Sequence, residues 1–424
     1  MAWLAVIYLF AVLFLPNLGA VLNLQYALAA GTVSIGIMAR RLSAAKVFKN
    51  ELTLLSLMGL ASVIAVMSQN LRGYNFIWRD MMIFPRLGYY ACIILLFAMA
   101  CRRTVSFSVG RRVIVYSAIV LAAFSIVQYF DVLHLNKILI PLYRENYDVL
   151  LGGEENRRVI GTIGNPNYWG MTVAMCLCFF SYSIVTEFRF VDLVLCGLLL
   201  VGILFSGSRT ALIGTVAGIG GSILIARIIA ERRREISITL MVVVVCGAVM
   251  LWGYVTQTIY ENTNRFSVEN THTWDVRIEY WTRIWADTVS DPVGLIIGRG
   301  ERKSEELSWG DNGYLRMLRD YGLLGLSLYL ALLGVMITRT IRLLAVASVD
   351  LAWSGGLLAI LLAWIIFSVT ADPWFHVRLV PLLLAAYIYV HSVAGNIQNQ
   401  EEVHSTSRVR EGNESNRSRQ MATV

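Results

Sequence analysis

Charge is what this 424-residue chain has least of. Asp, Glu, Lys and Arg make up 15% of it, against about 25% in an ordinary soluble domain. With 57% hydrophobic residues and a mean hydropathy of +0.62, the composition excludes a soluble globular enzyme. Histidine is scarce, with five in all. Neither an Asp-x-Asp pair nor a His/Cys cluster appears, so no essential metal and no cofactor are expected. The six cysteines (Cys92, Cys101, Cys176, Cys178, Cys196, Cys246) fall inside or at the edge of apolar runs. They read as small core residues rather than a disulfide framework. The first apolar run begins at Ala2 without a basic leader and continues into a second, so no cleavable signal peptide is expected. The lack of an internal repeat counts against an inverted-repeat transporter.

What is there is long apolar runs. Candidate spans are roughly 2–15, 18–38, 51–68, 81–101, 113–130, 166–186, 191–206, 210–229, 237–258, 321–338, 349–370 and 377–395. About twelve transmembrane helices follow, hence an all-α polytopic membrane protein over residues 1–395. Alternate loops are basic: 39–50, 101–112, 187–190, 230–236 and 339–348. The positive-inside rule makes these cytoplasmic and puts both termini inside. The net charge of +8 is thus a topology signal and does not point to nucleic acid. Residues 396–424 are polar and read as a disordered cytoplasmic tail.

The remaining arginines sit at the wrong end. Arg157, Arg158, Arg209, Arg265, Arg277 and Arg283 all fall on the outer side, where two long loops run over about 131–165 and 257–320. Arg209 closes a short turn after Ser206, Gly207 and Ser208. It reads either as a side chain snorkelling to headgroups or as an anion ligand. A planar guanidinium fork and a helix start both suit phosphate, and the second is preferred because the position defies the positive-inside rule. In the larger loop, Trp274, Ile278, Trp281 and Trp285 recur at helical spacing, predicting an amphipathic helix on the membrane surface. Arg277 lies at the edge of that stripe and Arg283 points away from it.

Other residues carry open alternatives. Asp311 is either a helix N-cap or a base. Arg316 and Arg319 share one face and suit phosphate or headgroups. Gly322 and Gly325 allow close helix approach. Asn165 before Pro166 is a natural helix start. Arg86, within the span 81–101, is the main exception to the nearly charge-free mid-span regions and could line a cavity. His376 and His272 are candidate bases, more often bland at such positions.

Taken together, Gly-Asn-Pro-Asn at 164–167, Ser-Gly-Ser-Arg-Thr-Ala at 206–211, Arg277 followed by Trp281, Asp291-Pro292 leading to Gly298 and Gly300, and Asn312 followed by Gly322-Leu-Leu-Gly325 resemble the O-antigen ligase and polymerase superfamily of bacterial membrane glycosyltransferases. Order and topology match over roughly residues 160–390. The resemblance implies a GT-C-like helical fold with a helical periplasmic loop, in the inner membrane, with the active site facing the periplasm. It also implies transfer of glycan from undecaprenyl diphosphate; a single displacement of the diphosphate would invert the anomeric centre, with no metal expected. Arg209 and Arg277 would hold the diphosphate and Asp311 would act as base. Asn165, Asn167, Ser208, Trp281, Asn312, Tyr314, Arg316, Arg319 and Arg86 are the candidate substrate-binding residues. Ligases of this superfamily usually carry histidine where this chain has Asp311, which favours a polymerase and keeps the ligase, with a lipid A-core acceptor, as the alternative. A lipid-oligosaccharide flippase is the reading from a different class; nearly charge-free mid-span regions count against it. Expected partners are the lipid-linked oligosaccharide, a glycan or lipid A-core acceptor, membrane lipids and a chain-length regulator.

Overall fold

A computed structural model describes Tyr8, Val12 and residues 47–72, 83–101, 107–138, 158–186, 188–229, 272–300, 312–346, 350–376 and 378–397. Expected spans 2–15, 18–38 and 237–258, the tail, and residues 301–311 lie outside the described residues, apart from Tyr8, Val12, Asn396 and Ile397, the last two being the end of a helix. Among the described residues the secondary structure is helical, in the order α1 Lys49–Leu71, α2 Ile83–Ala100, α3 Phe107–Tyr129, α4 Pro166–Thr186, α5 Phe190–Ser206, α6 Arg209–Ile229, α7 His272–Val289, α8 Pro292–Ile297, α9 Gly313–Leu344, α10 Leu351–Thr370 and α11 Leu379–Ile397. Seven of these, α1, α2, α3, α6, α9, α10 and α11, are long and apolar enough to cross a membrane. At 17 residues α5 is shorter but equally apolar.

The hub is α10. It is apolar around its whole circumference, and nearly all its residues are buried, as expected of a helix surrounded by others. It packs on α4, α6 and α9. Small residues set the approach: a Cβ at Gly218 of α6 would run into the Ala359 carbonyl of α10. Backbone contact of that kind replaces the hydrophobic driving force that is missing between helices in lipid. Outward faces stay apolar. Leu57, Leu60, Ile64 and Met67 of α1 are exposed at helical spacing, which suits lipid rather than water.

The end carrying the basic loops is cross-tied by buried ion pairs. Arg111 of α3 reaches both oxygens of Asp192 on α5 at 2.6 and 2.7 Å, and Ser183 of α4 donates to the same carboxylate at 2.7 Å. Arg339 of α9 pairs with Glu51 of α1 at 2.6 Å, and Tyr387 of α11 donates to Glu51 at 2.5 Å. Asp192 and Glu51 are each at most 1% exposed, so losing either arginine would strand a buried charge.

At the opposite end, α8 docks on a break in α9. Gly322 has φ 67° and ψ −171°, a region essentially open only to glycine. The break frees two carbonyls: Arg299 N donates to Arg319 O at 3.0 Å and Gly300 N to Asp320 O at 2.8 Å. A Cβ on Gly322 would strike Ile296 and Gly298, and one on Gly298 (φ 86°) would strike Asp320 and Tyr321. The expected close approach at Gly322 is therefore real, but it is between backbones of α8 and α9 rather than between two spans.

Candidate functional site

The arginine-rich end is built from helix starts. Asn165 caps α4: its Oδ1 accepts from Asn167 N at 2.9 Å, and Pro166 follows as the first helical residue. Ser208 begins α6, its Oγ accepting from Ala211 N at 3.3 Å. Arg209 is thus the first residue of α6, partly buried, beside backbone N–H groups that have no acceptor within the helix. Asn312 caps α9, accepting from Tyr314 N and Leu315 N at 3.0 Å each.

This last bond bears on Asp311. Asp311 itself lies outside the described residues, but the cap position is occupied by Asn312. The local role that competed with a chemical one is already filled.

The Arg209 turn is fastened from across the chain. Arg158 donates through Nε to Ser206 O at 2.8 Å, and through Nη2 to Gly207 O at 3.2 Å and Asn167 Oδ1 at 2.9 Å. Gly207 takes φ 62° to close the turn. Arg158 therefore joins the Gly-Asn-Pro-Asn segment to the Ser-Gly-Ser-Arg segment.

Asp372 ties α4 to α9. Its carboxylate accepts from Tyr168 of α4 on one oxygen and from Arg316 of α9 on the other. Arg316 also reaches Asp320 at 3.4 Å, and Arg319 reaches Asp320 at 2.7 Å. Arg319 is 5% exposed and Asp320 fully buried, so Arg319 sits in an ion pair inside the protein, not at the headgroups. The ring of Phe375 lies under two cations, 3.9 Å from Arg316 and 5.5 Å from Arg86. Arg86, in the first turn of α2, thus belongs to this end of the bundle. Tyr314 bonds Ile365 O at 2.9 Å, and the hydroxyls of Thr210 and Thr370 meet between α6 and α10.

His376 packs on Tyr168 with ring centres 4.3 Å apart. Its burial, and then the charges of Arg378 and Arg86, lower its pKa to about 3. A general base works best with a pKa near the operating pH, so His376 is a poor base at neutral pH. The side chain of His272 lies outside the described residues.

Helix α7 packs on α8 and α9, but not by the expected stripe. Ile278 and Trp285 are 54% and 52% exposed, whereas Ile284 and Thr288 are buried. Arg277 and Trp281, both partly buried, share the Ile284–Thr288 face by their spacing of four, three and four. Arg277 therefore sits on the protein-facing side rather than at the rim of an apolar stripe. Arg283 is exposed and pairs with Glu279 at 2.5 Å, as its position around the helix implied. The side chain of Trp274 lies outside the described residues.

The start of α8 is anchored to α1. Asp291 caps α8, and Arg72, just past the end of α1, grips both its oxygens at 2.8 Å. Arg299 adds a contact to Asp291 at 3.2 Å and an ion pair to Asp287 at 2.5 Å. The Arg72 bonds above all lower the pKa of Asp291 to about 2.

Asp372, Tyr168 and Arg72 are not legible as site residues in the sequence, and Arg158 stands there only among the outer-side arginines. The usable signals were a carboxylate in a short turn at the cationic end, and an arginine at the same end as Arg209. Among the described residues no group of three His, Cys, Asp or Glu side chains is placed to share a metal.

Comparison with known proteins gives one family match. Residues 194–330, from within α5 to within α9, match the family model of the O-antigen ligase. No curated protein matches the chain. The matched segment carries the Arg209 turn, the Arg277–Trp281 face, Asp291-Pro292, the Asn312 cap and the Gly322 break; over that segment the chain is similar to the O-antigen ligase family.

Proposed function

We propose that the protein transfers glycan from a polyprenyl-diphosphate donor, undecaprenyl diphosphate by the family resemblance, at the outer face of the inner membrane. It extends O-antigen, capsule or exopolysaccharide repeats. The observation that carries this reading is the concentration of cations at one end of the bundle. There Arg209 opens α6 within a turn held by Arg158, inside the segment matching the O-antigen ligase model.

The chemistry is a single displacement. An acceptor hydroxyl oxygen bonds the anomeric carbon as the bond from that carbon to the diphosphate oxygen breaks, inverting the centre. The hydroxyl proton passes to a base, and the diphosphate leaves on its lipid. Negative charge grows on the leaving diphosphate, where fixed guanidinium groups stabilise it. Arg209 and Arg277 are assigned to the diphosphate and Asp311 to the proton. Asn165, Asn167, Ser208, Asn312 and Tyr314 shape the helix starts around the substrate. Trp281, Arg316, Arg319 and Arg86 form the surrounding wall. No metal is assigned a role.

Asp311 in place of the histidine usual in ligases favours polymerisation over transfer to lipid A-core. A defined lipid-linked repeat, supplied with and without lipid A-core, tests the choice. Longer lipid-linked glycan without core supports the polymerase, and product only when core is present replaces it with the ligase.

A further inference from the structure

A cleft of about 180 Å³ opens between α3 and α11 in the half of the bundle away from Arg209. Phe97 of α2, Phe179 of α4 and Leu357 of α10 form its buried floor. Val113 and Ser117 of α3 and Ala386 of α11 are partly exposed and form its lips. Among the described residues no charged side chain lines it. Two hydroxyls in the wall are engaged locally: Tyr389 accepts from Gly110 N at 2.9 Å, and Thr172 donates to Tyr168 O at 2.9 Å. A sugar, phosphate or headgroup inside would lose its hydration with little in return. Hydrocarbon would not. Apolar cavities of about 150 Å³ stay dry and take up benzene, so this cleft has room for roughly a six-carbon stretch of chain.

The lips continue into the outward face of α3, where Val109, Tyr116, Ile119 and Val120 are exposed. Arg112 is exposed on that same face, three residues from Val109 and four from Tyr116. Its neighbour Arg111 is turned inward to Asp192. Arg112 is thus an outward cation at the basic end of the bundle, one helical turn from Val109 of the cleft wall. We propose that the cleft holds one acyl chain of an anionic glycerophospholipid from the adjacent leaflet, with the lipid phosphate on Arg112. The polyprenyl donor has its diphosphate at the other end, so its head has no counterpart at this mouth. The site is separate from the transfer chemistry and requires nothing of it.

The test is native mass spectrometry of the intact purified protein. It is loaded with phosphatidylglycerol or with phosphatidylcholine, and retention is read without any glycan. Ser117→Phe and Ala386→Phe each fill the slot, and Arg112→Gln removes the cation. The wild-type protein is expected to retain one phosphatidylglycerol in preference to phosphatidylcholine. Either filling variant should lose it. Arg112→Gln should weaken retention about fivefold, which is what one basic residue contributes to anionic-lipid binding near a membrane surface, and should abolish the headgroup preference. Because Arg112 is exposed, its variant tests the proposal even if the filled variants fail to fold. Equal retention in wild type and all soluble variants overturns the proposal. So does finding that the retained molecule is a polyprenyl phosphate.

Discussion

Arg158 holds Gly207. The guanidinium bonds the carbonyls of Ser206 and Gly207, 48 and 49 residues away in sequence, and so fixes the turn from which Arg209 projects. Arg158 is a positioning residue in this arrangement, acting through the turn. Arg158→Ala should lower kcat for glycan transfer by roughly tenfold to a hundredfold, as expected for a misplaced transition-state contact, with little change in KM for the acceptor. Arg158→Lys should recover little, since one ammonium cannot span two carbonyls and the Asn167 side chain. Steady-state kinetics at matched expression decide it; an unchanged kcat in Arg158→Ala would remove Arg158 from the site.

Gly322 should not tolerate a side chain. Its backbone region costs any other residue about 1–3 kcal/mol, and the added Cβ would meet Ile296 and Gly298. Gly322→Ala should lower the thermal unfolding temperature in detergent and reduce transfer, because α8 loses its seat on α9. Gly334→Ala, in the same helix with open space around it, should be neutral or mildly stabilising. Similar unfolding temperatures for the two variants would contradict the docking of α8 on the break.

Acid should loosen the arginine-rich end in two stages. His376 has a pKa lowered to about 3 by burial and by Arg378 and Arg86. It therefore binds fewer protons folded than unfolded, and its contribution is complete above about pH 6.5 and lost as the pH falls towards 3. Asp291, held down to about 2 chiefly by Arg72, contributes fully above about pH 4 and loses that below it. Unfolding temperature measured from pH 8 to 3 should begin to fall near 6.5. His376→Gln should flatten that first decline and Asp291→Asn the steeper one below 4. Unaltered slopes in both variants would show that other groups set the acid limit.

Asp311 separates the proton-accepting role from the capping role. Asn312 already caps α9, so Asp311→Asn should leave folding unchanged. If Asp311 takes the acceptor proton, the same change should cost roughly 10²–10⁴-fold in rate, because an amide has no basic lone pair at neutral pH. Asp311→Glu should keep a trace of activity and Asp311→His a part of it. Polymer of normal length from Asp311→Asn would leave the base unidentified.

The parts legible in the sequence were those governed by local chemistry. Nine of the expected spans fall on helices, and seven of those helices are long and apolar enough to cross a membrane, since apolar run length is a property of the segment itself. The start of α4 at Asn165-Pro166 follows from side-chain capping within two or three residues. What was hidden depends on long-range pairing. Asp372 meets Tyr168 across 204 residues and Arg316 across 56, and Arg72 meets Asp291 across 219. Nothing in the composition of any of these segments announces the other. The α7 stripe was misread for a related reason. Its tryptophans mark an apolar arc, but the buried arc is set by the shape of α8 and α9, which brings Ile284 and Thr288 inward and leaves Trp285 out.

The most direct test of diphosphate binding by arginines at this end is transfer by purified protein. A defined polyprenyl-diphosphate oligosaccharide in detergent, with no sealed membrane, should yield elongated lipid-linked glycan. Arg209→Ala and Arg277→Ala should each cut the rate by roughly tenfold to a hundredfold, the loss of a charge-assisted bond in the transition state. Arg283→Ala, whose side chain is exposed and paired with Glu279, should stay near wild type. Absence of any transfer product, or equal rates for all three variants, would contradict the proposed function.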